Sequence, residues 1–127
     1  KIPYVEADAV ALRMVLQNLL LNAINYTLPG GKIEVTWGKK GKFIEVRVKD
    51  TGIGIPKNEM GRIFAKFFRG DKVVRMQTSG TGLGLFIAKN IITSHKGEIW
   101  AESEEGKGTT FWFTIPIIEQ NHAKKIN

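Results

Sequence analysis

The chain contains no cysteine and no long run of apolar residues. Because it has no thiol, it can form neither a disulfide nor a cysteine nucleophile, which fits a reducing compartment and predicts a cytoplasmic location. No apolar stretch approaches the roughly 20 residues that cross a bilayer, and the N-terminus lacks the apolar region of a signal peptide. These absences predict a soluble piece of protein.

The composition is that of an ordinary globular domain, with 43% hydrophobic and 24% charged residues among 127. This length predicts a single domain over residues 1–127, with its core at about 4–117 and a polar tail at 118–127. The net charge is +7, but the basic residues are scattered and form no recognition helix. We therefore expect no nucleic-acid partner, whereas attraction for a nucleotide remains open.

Hydrophobic periodicity predicts a helix near the N-terminus and two hairpins. Apolar residues recur with the helical period between Asp8, a suitable N-cap, and Tyr26. Alternating residues predict strands on either side of the turns at 38–41 and 104–108, with Pro116 ending the last strand.

Two further helices are expected, a short one over residues 61–68 and a longer one over 83–95 that Gly97 stops. The element order predicts an α+β fold, a two-layer α/β sandwich. In it, an antiparallel or mixed sheet packs on one face against about three helices.

Two glycine clusters follow, Asp50-Thr-Gly-Ile-Gly-Ile-Pro56 and Gly80-Thr-Gly-Leu-Gly-Leu85. Glycine lets a ligand approach the backbone closely, and the second cluster leads into a helix whose first N–H groups favour an anion. Asp50 is open to two interpretations, a carboxylate that accepts from an exocyclic amine or an ordinary turn residue. The polar segment at 69–80, which has little to pack, is predicted to be a mobile lid.

Asn18, Asn22 and Asn25 fall on one side of the first predicted helix, broadly opposite the apolar stripe. Asparagine is a poor helix former, so three aligned asparagines call for a reason. One interpretation is a neutral amide ligand for Mg²⁺, and the other is a solvated face of unusual composition.

Four segments in order resemble the N, G1, F and G2 boxes of sensor histidine kinases: residues 18–27, 50–56, 63–69 and 80–85. The chain resembles the catalytic ATP-binding domain of a two-component sensor kinase, in the superfamily that includes gyrase, the MutL repair proteins and a heat-shock chaperone. The resemblance covers about residues 4–117. It implies the Bergerat-type ATP-binding fold, with ATP and Mg²⁺ as ligands.

The resemblance also implies roles for matching positions. Asn22 would bind Mg²⁺, Asp50 would recognise the adenine amino group, and Arg69 would approach the terminal phosphates. The implied catalytic set is Asn18, Asn22 and Arg69. The implied nucleotide-binding set is Asn22, Asn25, Tyr26, Asp50, Gly52, Gly54, Ile55, Gly80, Thr81, Gly82, Leu83, Gly84 and Leu85.

Two positions of the N box refine this interpretation. The family usually has lysine where this chain has Asn25, so one phosphate contact is missing or supplied elsewhere. The gyrase-like members have a glutamate base where this chain has Asn18, and an amide cannot take a proton from water. The sequence therefore favours phosphoryl transfer over rapid ATP hydrolysis.

The phosphoacceptor is absent from this sequence, because neither His95 nor His122 lies in a helical acceptor motif. The resemblance implies an upstream histidine-bearing dimerisation domain of the same protein and a response regulator receiver domain as partners. It also implies a monomeric isolated domain within a homodimeric full-length protein. The alternatives are a regulatory ATP-binding module with little transfer activity and an ATP-gated clamp.

Overall fold

Within the residues that the structure describes, one antiparallel sheet of five strands forms the base of the domain, and two α-helices cover one of its faces. The computed structural model describes residues 4–5, 7–66, 68 and 83–118. None of the helices in this described part combines the length and the hydropathy that crossing a lipid bilayer requires. The elements are β1 (Tyr4–Val5), α1 (Ala9–Tyr26), β2 (Ile33–Lys40), β3 (Phe43–Asp50), a 3₁₀ helix (Met60–Arg62), α2 (Gly84–Ser94), β4 (Ile99–Glu104) and β5 (Gly108–Ile118).

Strand β5 lies at the centre of the sheet. It pairs with β3 along one side, from Thr109 opposite Asp50 to Pro116 opposite Phe43. Strand β4 pairs with its other side, β2 extends the sheet beyond β3, and β1 adds two residue pairs at the far end of β5. Both predicted hairpins are confirmed, and every pairing among the described strands is antiparallel.

The alternation of residues in β5 decides which face of the sheet is buried. Thr109, Phe111, Phe113 and Ile115 are buried, and the residues between them are partly exposed, as the two-residue period of a strand requires. Both helices pack on this buried face, so the predicted two-layer sandwich is confirmed. The apolar core consists of Val15, Leu19, Ala23, Tyr26, Val48, Ile55, Ile63, Ala88, Ile92, Phe111, Phe113 and Ile115.

Helix α1 begins and ends where the sequence predicts. The Asp8 carboxylate accepts hydrogen bonds from the backbone N–H groups of Val10 and Ala11, at 2.9 and 3.1 Å, which caps the first turn. The helix ends at Tyr26, and α2 packs beside it. The start of α2 contacts the middle of α1, since Gly84 lies against Asn18.

The expectation that Pro116 ends the last strand is wrong, because β5 continues to Ile118. The N–H of Thr114 points towards β4 and donates to Glu98 O, whereas the N–H of Ile117 points the other way and donates to Lys42 O. The missing N–H of Pro116 lies on the same side as that of Thr114, where β4 pairs with β5 only as far as Phe113 and β1 pairs with Ile117 and Ile118. Pairing with β3 as far as Pro116, and with β1 beyond it, therefore carries the strand past the proline.

The short helix expected over residues 61–68 is also wrong. The described residues there form the 3₁₀ helix and a series of turns, in which Arg62, Ala65 and Phe68 each donate to the carbonyl three residues earlier. Such a short segment gains little from α-helical propagation. Burial of Ile63 in the core anchors it instead. The described residues therefore contain two α-helices and this 3₁₀ helix.

The longer predicted helix is confirmed as α2, but its end differs from the expectation. Lys96, not Gly97, adopts the left-handed conformation that stops the helix, with φ of 64°. The N–H groups of Lys96 and Gly97 then donate to Thr93 O and Ile92 O, both at 3.0 Å. This pair of bonds closes the last turn of α2.

Candidate functional site

Asp50 ends β3 and has only 3% of its surface exposed. Its Oδ1 atom accepts two backbone hydrogen bonds, from Gly52 N–H at 2.8 Å and from Thr109 N–H at 3.2 Å. Among the described residues no hydrogen bond reaches the second oxygen, Oδ2. The carboxylate is thus fixed through one oxygen, and the other remains available as an acceptor.

Burial raises the pKa of the Asp50 carboxyl above its ordinary value of 3.8, and the hydrogen bonds from Gly52 and Thr109 lower it by less. A buried carboxyl that lacks a cationic partner is unfavourable for folding. No salt bridge to Asp50 is found in the described part of the chain. Perturbed groups of this kind cluster at functional sites, which makes Asp50 the leading candidate here.

The loop after Asp50 is held by backbone contacts on two sides. Ile53 N–H donates to Tyr26 O at the end of α1, at 3.0 Å, and Gly106 N–H donates to Ile53 O at 2.7 Å. Gly54 has φ of +73°, and a Cβ there would collide with the backbone of Glu104. The glycine at this position is therefore required by the protein's own β4–β5 turn rather than by a ligand.

The three asparagines of α1 do not lie opposite the buried stripe, and that expectation is wrong. Asn18, Asn22 and Asn25 are all partly buried along one flank of the stripe. The opposite side of α1 is instead apolar and exposed, since the helix contains many more apolar residues than its core stripe needs. Its exposed members are Val10, Met14, Leu21 and Ile24.

Asn22 carries a buried polar atom with no partner. Its side-chain Nδ2 is shielded from solvent, and no hydrogen bond to it occurs within the described residues. Buried amides are normally hydrogen-bonded, so an orphaned one points to a missing ligand. A rotation of 180° about the last side-chain torsion of Asn22 exchanges its Nδ2 and Oδ1 atoms, which have nearly the same size and position. The unpartnered position can therefore be occupied by Oδ1 as well as by Nδ2.

The start of α2 is the second part of the candidate site. Leu83 is the N-cap residue and makes no side-chain capping hydrogen bond, so among the described residues the N-cap side chain does not occupy the first N–H groups of the helix. Leu83, Gly84 and Leu85 are all partly buried. A helix start in this condition favours an anion.

Helix α1 joins the two halves of the site. Asn18 contacts the start of α2, and Tyr26, eight residues later, binds the loop that follows Asp50. Eight residues of helix correspond to about 12 Å. Tyr26 itself is buried in the core with 8% exposure, and Ile55 is buried with 3%. The loop after β3 and the start of α2 thus contact α1 two turns apart, on either side of Asn22.

Several predicted residues lie outside the described part of the chain. These are Arg69, Gly80, Thr81 and Gly82, together with the rest of the predicted lid at 69–80 and residues 119–127 of the predicted tail. Ile118, the first residue of that predicted tail, belongs to β5 instead.

Both ring nitrogens of His95 are occupied. Nδ1 lies 2.8 Å from Ile91 O and must donate to that carbonyl, so Nε2 is the atom that accepts from Asp8 N–H at 3.1 Å. His95 therefore joins the end of α2 to the start of α1. This arrangement offers no free imidazole nitrogen to an incoming phosphoryl group.

Sequence reasoning missed two residues that support the site. Thr109 is 2% exposed and holds Asp50 through its N–H, and the Ser103 hydroxyl accepts from Ile55 N–H at 2.7 Å. The sequence indicates only that both residues belong to a hairpin. Their contacts join residues 48 and 59 positions apart, which no local pattern encodes.

The family model described as "Histidine kinase-, DNA gyrase B-, and HSP90-like ATPase" matches residues 7–119. The chain belongs to this family. The match covers all the site residues described above and supports ATP as the ligand of this ATPase domain.

Two similar curated proteins are sensor kinases. The sensor histidine kinase WalK of Bacillus subtilis is 43% identical over 119 residues, which cover 92% of this chain and 20% of that protein. The sensor protein kinase WalK of Staphylococcus saprophyticus is 39% identical, over 89% of this chain and 19% of that protein. The chain thus spans about a fifth of the length of these relatives.

Solved structures agree with this family assignment. The catalytic domain of the histidine kinase ThkA is 41% identical with a TM-score of 0.74, covering 88% of this chain and 71% of that chain. Full-length ShkA, solved in complex with AMPPNP, is 32% identical with a TM-score of 0.76, covering 91% of this chain and 23% of that chain. Together these similarities support a histidine kinase catalytic domain.

Proposed function

We propose that this domain binds Mg-ATP and transfers the γ-phosphoryl group to a histidine on a separate dimerisation domain of the same sensor kinase. A response regulator receiver domain would then take the group from that histidine. The observation that carries the proposal is the Asp50 carboxylate, buried and fixed through Oδ1 with Oδ2 free of described partners. On α1, Asn22 lies between Tyr26, which binds the loop after Asp50, and Asn18, which contacts the start of α2, and its Nδ2 has no hydrogen bond within the described residues.

The adenine base occupies the Asp50 end. Oδ2 accepts from the exocyclic amino group, while Gly52, Gly54 and Ile55 shape the adjacent pocket and Tyr26 borders it. A carboxylate acceptor rejects a base that has a carbonyl oxygen in place of that amine, because two acceptors cannot share a hydrogen bond. Asp50 therefore sets the preference for adenine.

Asn22 holds the metal ion. Its partly buried amide with an unpartnered atom fits a hard cation, since an amide oxygen is a neutral ligand of the kind that Mg²⁺ accepts beside phosphate oxygens and water. When bound, Mg²⁺ supplies charge that neutralises the phosphate oxygens. Asn25 lines the same flank of α1 and brings no positive charge, so the phosphates depend on other donors.

The triphosphate lies at the start of α2. Backbone N–H groups near Leu83, Gly84 and Leu85 suit anionic oxygens, and the positive end of the helix dipole adds to this attraction. Gly80, Thr81 and Gly82 complete the phosphate-binding segment in this proposal. Arg69 approaches the terminal phosphate and stabilises the charge that spreads over it during transfer.

Asn18 favours transfer over hydrolysis. It lies beside the start of α2, where a general base would have to stand to activate water, and its amide cannot accept the proton. A neutral imidazole needs no such base, because its free nitrogen already carries a lone pair near pH 7. Both nitrogens of His95 are engaged, which supports an acceptor on another domain.

The decisive test combines the domain with Mg²⁺, ATP labelled on its γ-phosphate and the separately purified dimerisation domain of the parent kinase. We expect acid-labile, base-stable label on the dimerisation domain. Asn22→Ala and Asp50→Asn should abolish this label. Gln17→Ala, a change at an exposed position of the same helix, should leave it unchanged.

Two other results would contradict the proposal and identify its alternatives. Rapid phosphate release by the domain alone would indicate an ATP-gated clamp and refute the role given to Asn18. Tight ATP binding without any transfer would indicate a regulatory module. Sedimentation of the isolated domain as a monomer and of the full-length protein as a homodimer would support the proposed arrangement of the kinase.

A further inference from the structure

Ser103 connects the loop after Asp50 to the residue that fixes the Asp50 carboxylate. Its hydroxyl oxygen accepts from Ile55 N–H at 2.7 Å, lies 3.0 Å from Gly108 O and lies 2.8 Å from Thr109 Oγ1. Ser103 is partly buried near the end of β4, and Thr109 is almost fully buried at the start of β5. Three contacts thus converge on one small side chain.

The direction of these hydrogen bonds follows from the groups involved. Gly108 O can only accept, so it takes the single proton of the Ser103 hydroxyl. The Thr109 hydroxyl must then donate to Ser103 Oγ, which also accepts from Ile55 N–H. All of the hydrogen-bonding capacity of Ser103 is used, and replacement of its hydroxyl would leave two donors and one acceptor without this partner.

The network ends at Asp50. Thr109, whose hydroxyl contacts Ser103, donates its backbone N–H to Asp50 Oδ1 at 3.2 Å. Ile55 ends the loop whose Gly52 N–H donates to the same oxygen at 2.8 Å. Both backbone segments that orient the carboxylate therefore meet at Ser103, although Ser103 does not contact Asp50.

We propose that Ser103 is a positioning residue for base recognition, which orients the Asp50 carboxylate through Thr109 and the loop ending at Ile55. This inference rests on the proposed function, since it assumes that Asp50 binds the adenine amino group. It assigns Ser103 to selection among bases and gives it no part in phosphate binding. The start of α2, which serves the phosphates, shares none of these hydrogen bonds.

The test compares nucleotide binding by the wild type and by Ser103→Ala, measured by calorimetry with ATP, GTP and inorganic tripolyphosphate. We expect Ser103→Ala to weaken ATP binding about 10-fold, the effect of one lost hydrogen bond in a network. The preference for ATP over GTP should fall by a similar factor. Tripolyphosphate binding should not change, because it reports only the phosphate end.

Matched variants separate positioning from simple destabilisation. Ser103→Thr keeps the hydroxyl and should restore most of the preference for ATP. Ser94→Ala removes a hydroxyl that donates to Ile91 O at the end of α2 and should leave all three affinities unchanged. If Ser103→Ala does not fold, Ser103→Cys keeps the shape of the side chain with a much weaker hydrogen-bonding group.

Amide hydrogen exchange tests the same network without nucleotide. The amides of Ile55 and Thr109 should exchange faster in Ser103→Ala than in the wild type, whereas amides in the middle of α1 should not change. Equal losses of ATP and tripolyphosphate affinity, or an unchanged ATP to GTP ratio, would overturn the positioning role. A wild-type protein that does not distinguish ATP from GTP would instead overturn the proposed function.

Discussion

At Asp50, the unfavourable effect of burial outweighs the two hydrogen bonds that the carboxylate accepts. The pKa is raised, so the folded state holds the proton more tightly than the unfolded state does. Below the ordinary value of 3.8, the group is protonated in both states and carries no penalty. As the pH rises through the raised pKa, the ionised carboxylate lowers the free energy of unfolding.

Asp50→Asn should therefore separate stability from function. The amide oxygen can still accept from Gly52 and Thr109, while the buried charge is gone. We expect the free energy of unfolding at pH 7 to equal or exceed that of the wild type, with the difference shrinking as the pH falls towards about 4. Adenine binding should be lost, because Oδ2 becomes a donor group.

Urea unfolding at several pH values checks this prediction. Glu102→Gln, which removes one negative charge from an exposed position on β4, is the matched control for the loss of charge. A loss of more than about 1 kcal/mol in Asp50→Asn at pH 7 would mean that the two backbone hydrogen bonds require a charged acceptor.

Residue identity alone predicted part of this site. A carboxylate before two glycines and the aligned asparagines of a helix indicate Asp50 and Asn22 as candidates; Asp50 is buried, and Asn22 is partly buried. Ser103 and Thr109 could not be found in this way. Their roles come from pairing across the sheet, which a linear pattern does not express.

At the scale of elements, helix α1 has three distinct faces. One is buried against the sheet, a second carries the asparagines, and the third is apolar yet exposed. Arg13 is the only charged residue among the 18 residues of the helix. Sequence periodicity predicted an apolar stripe on this helix, and the structure buries that stripe; the exposed apolar residues lie on the opposite side.

Two leucines of α1 provide a matched test of these faces. Leu19 is fully buried, whereas Leu21 is 54% exposed. We expect Leu19→Ala to lower the free energy of unfolding by about 3 kcal/mol, through lost burial and a residual cavity. Leu21→Ala should change it by less than about 0.5 kcal/mol. Urea denaturation measures both, and similar losses in the two variants would mean that the exposed face is covered by other parts of the chain.

The existence of the strands could be predicted from local residue alternation, whereas the end of β5 depends on the strands that pair with it. Alternation predicted both hairpins correctly, although the alternating apolar residues of β2, Ile33, Val35 and Trp37, remain exposed. The end of β5 differs from the expectation because β3 pairs with β5 as far as Pro116 and β1 pairs with Ile117 and Ile118. These pairings involve distant residues and cannot be read from the residues around the proline.

At the scale of the whole molecule, both layers of the fold, the sheet and the helices, contribute residues to the candidate site. The β3 end supplies Asp50, the β4–β5 turn supports the adjoining loop, and α1 links this loop to the start of α2. A different opening lies near the start of α1, a cavity of about 550 Å³ lined by Asp8, His95 and Ile117, among others. We expect ATP to bind at the first of these places and not at the second.

The most direct test of this claim is a backbone and side-chain amide NMR titration of the domain with Mg-ATP. We predict that the largest shift changes occur at residues 50–55, at 83–85 and at the side-chain amide of Asn22. The amides of Ala7, Ser94 and Lys96, beside the second cavity, should change little. Changes concentrated at that cavity, with residues 50–55 unaffected, would contradict the account.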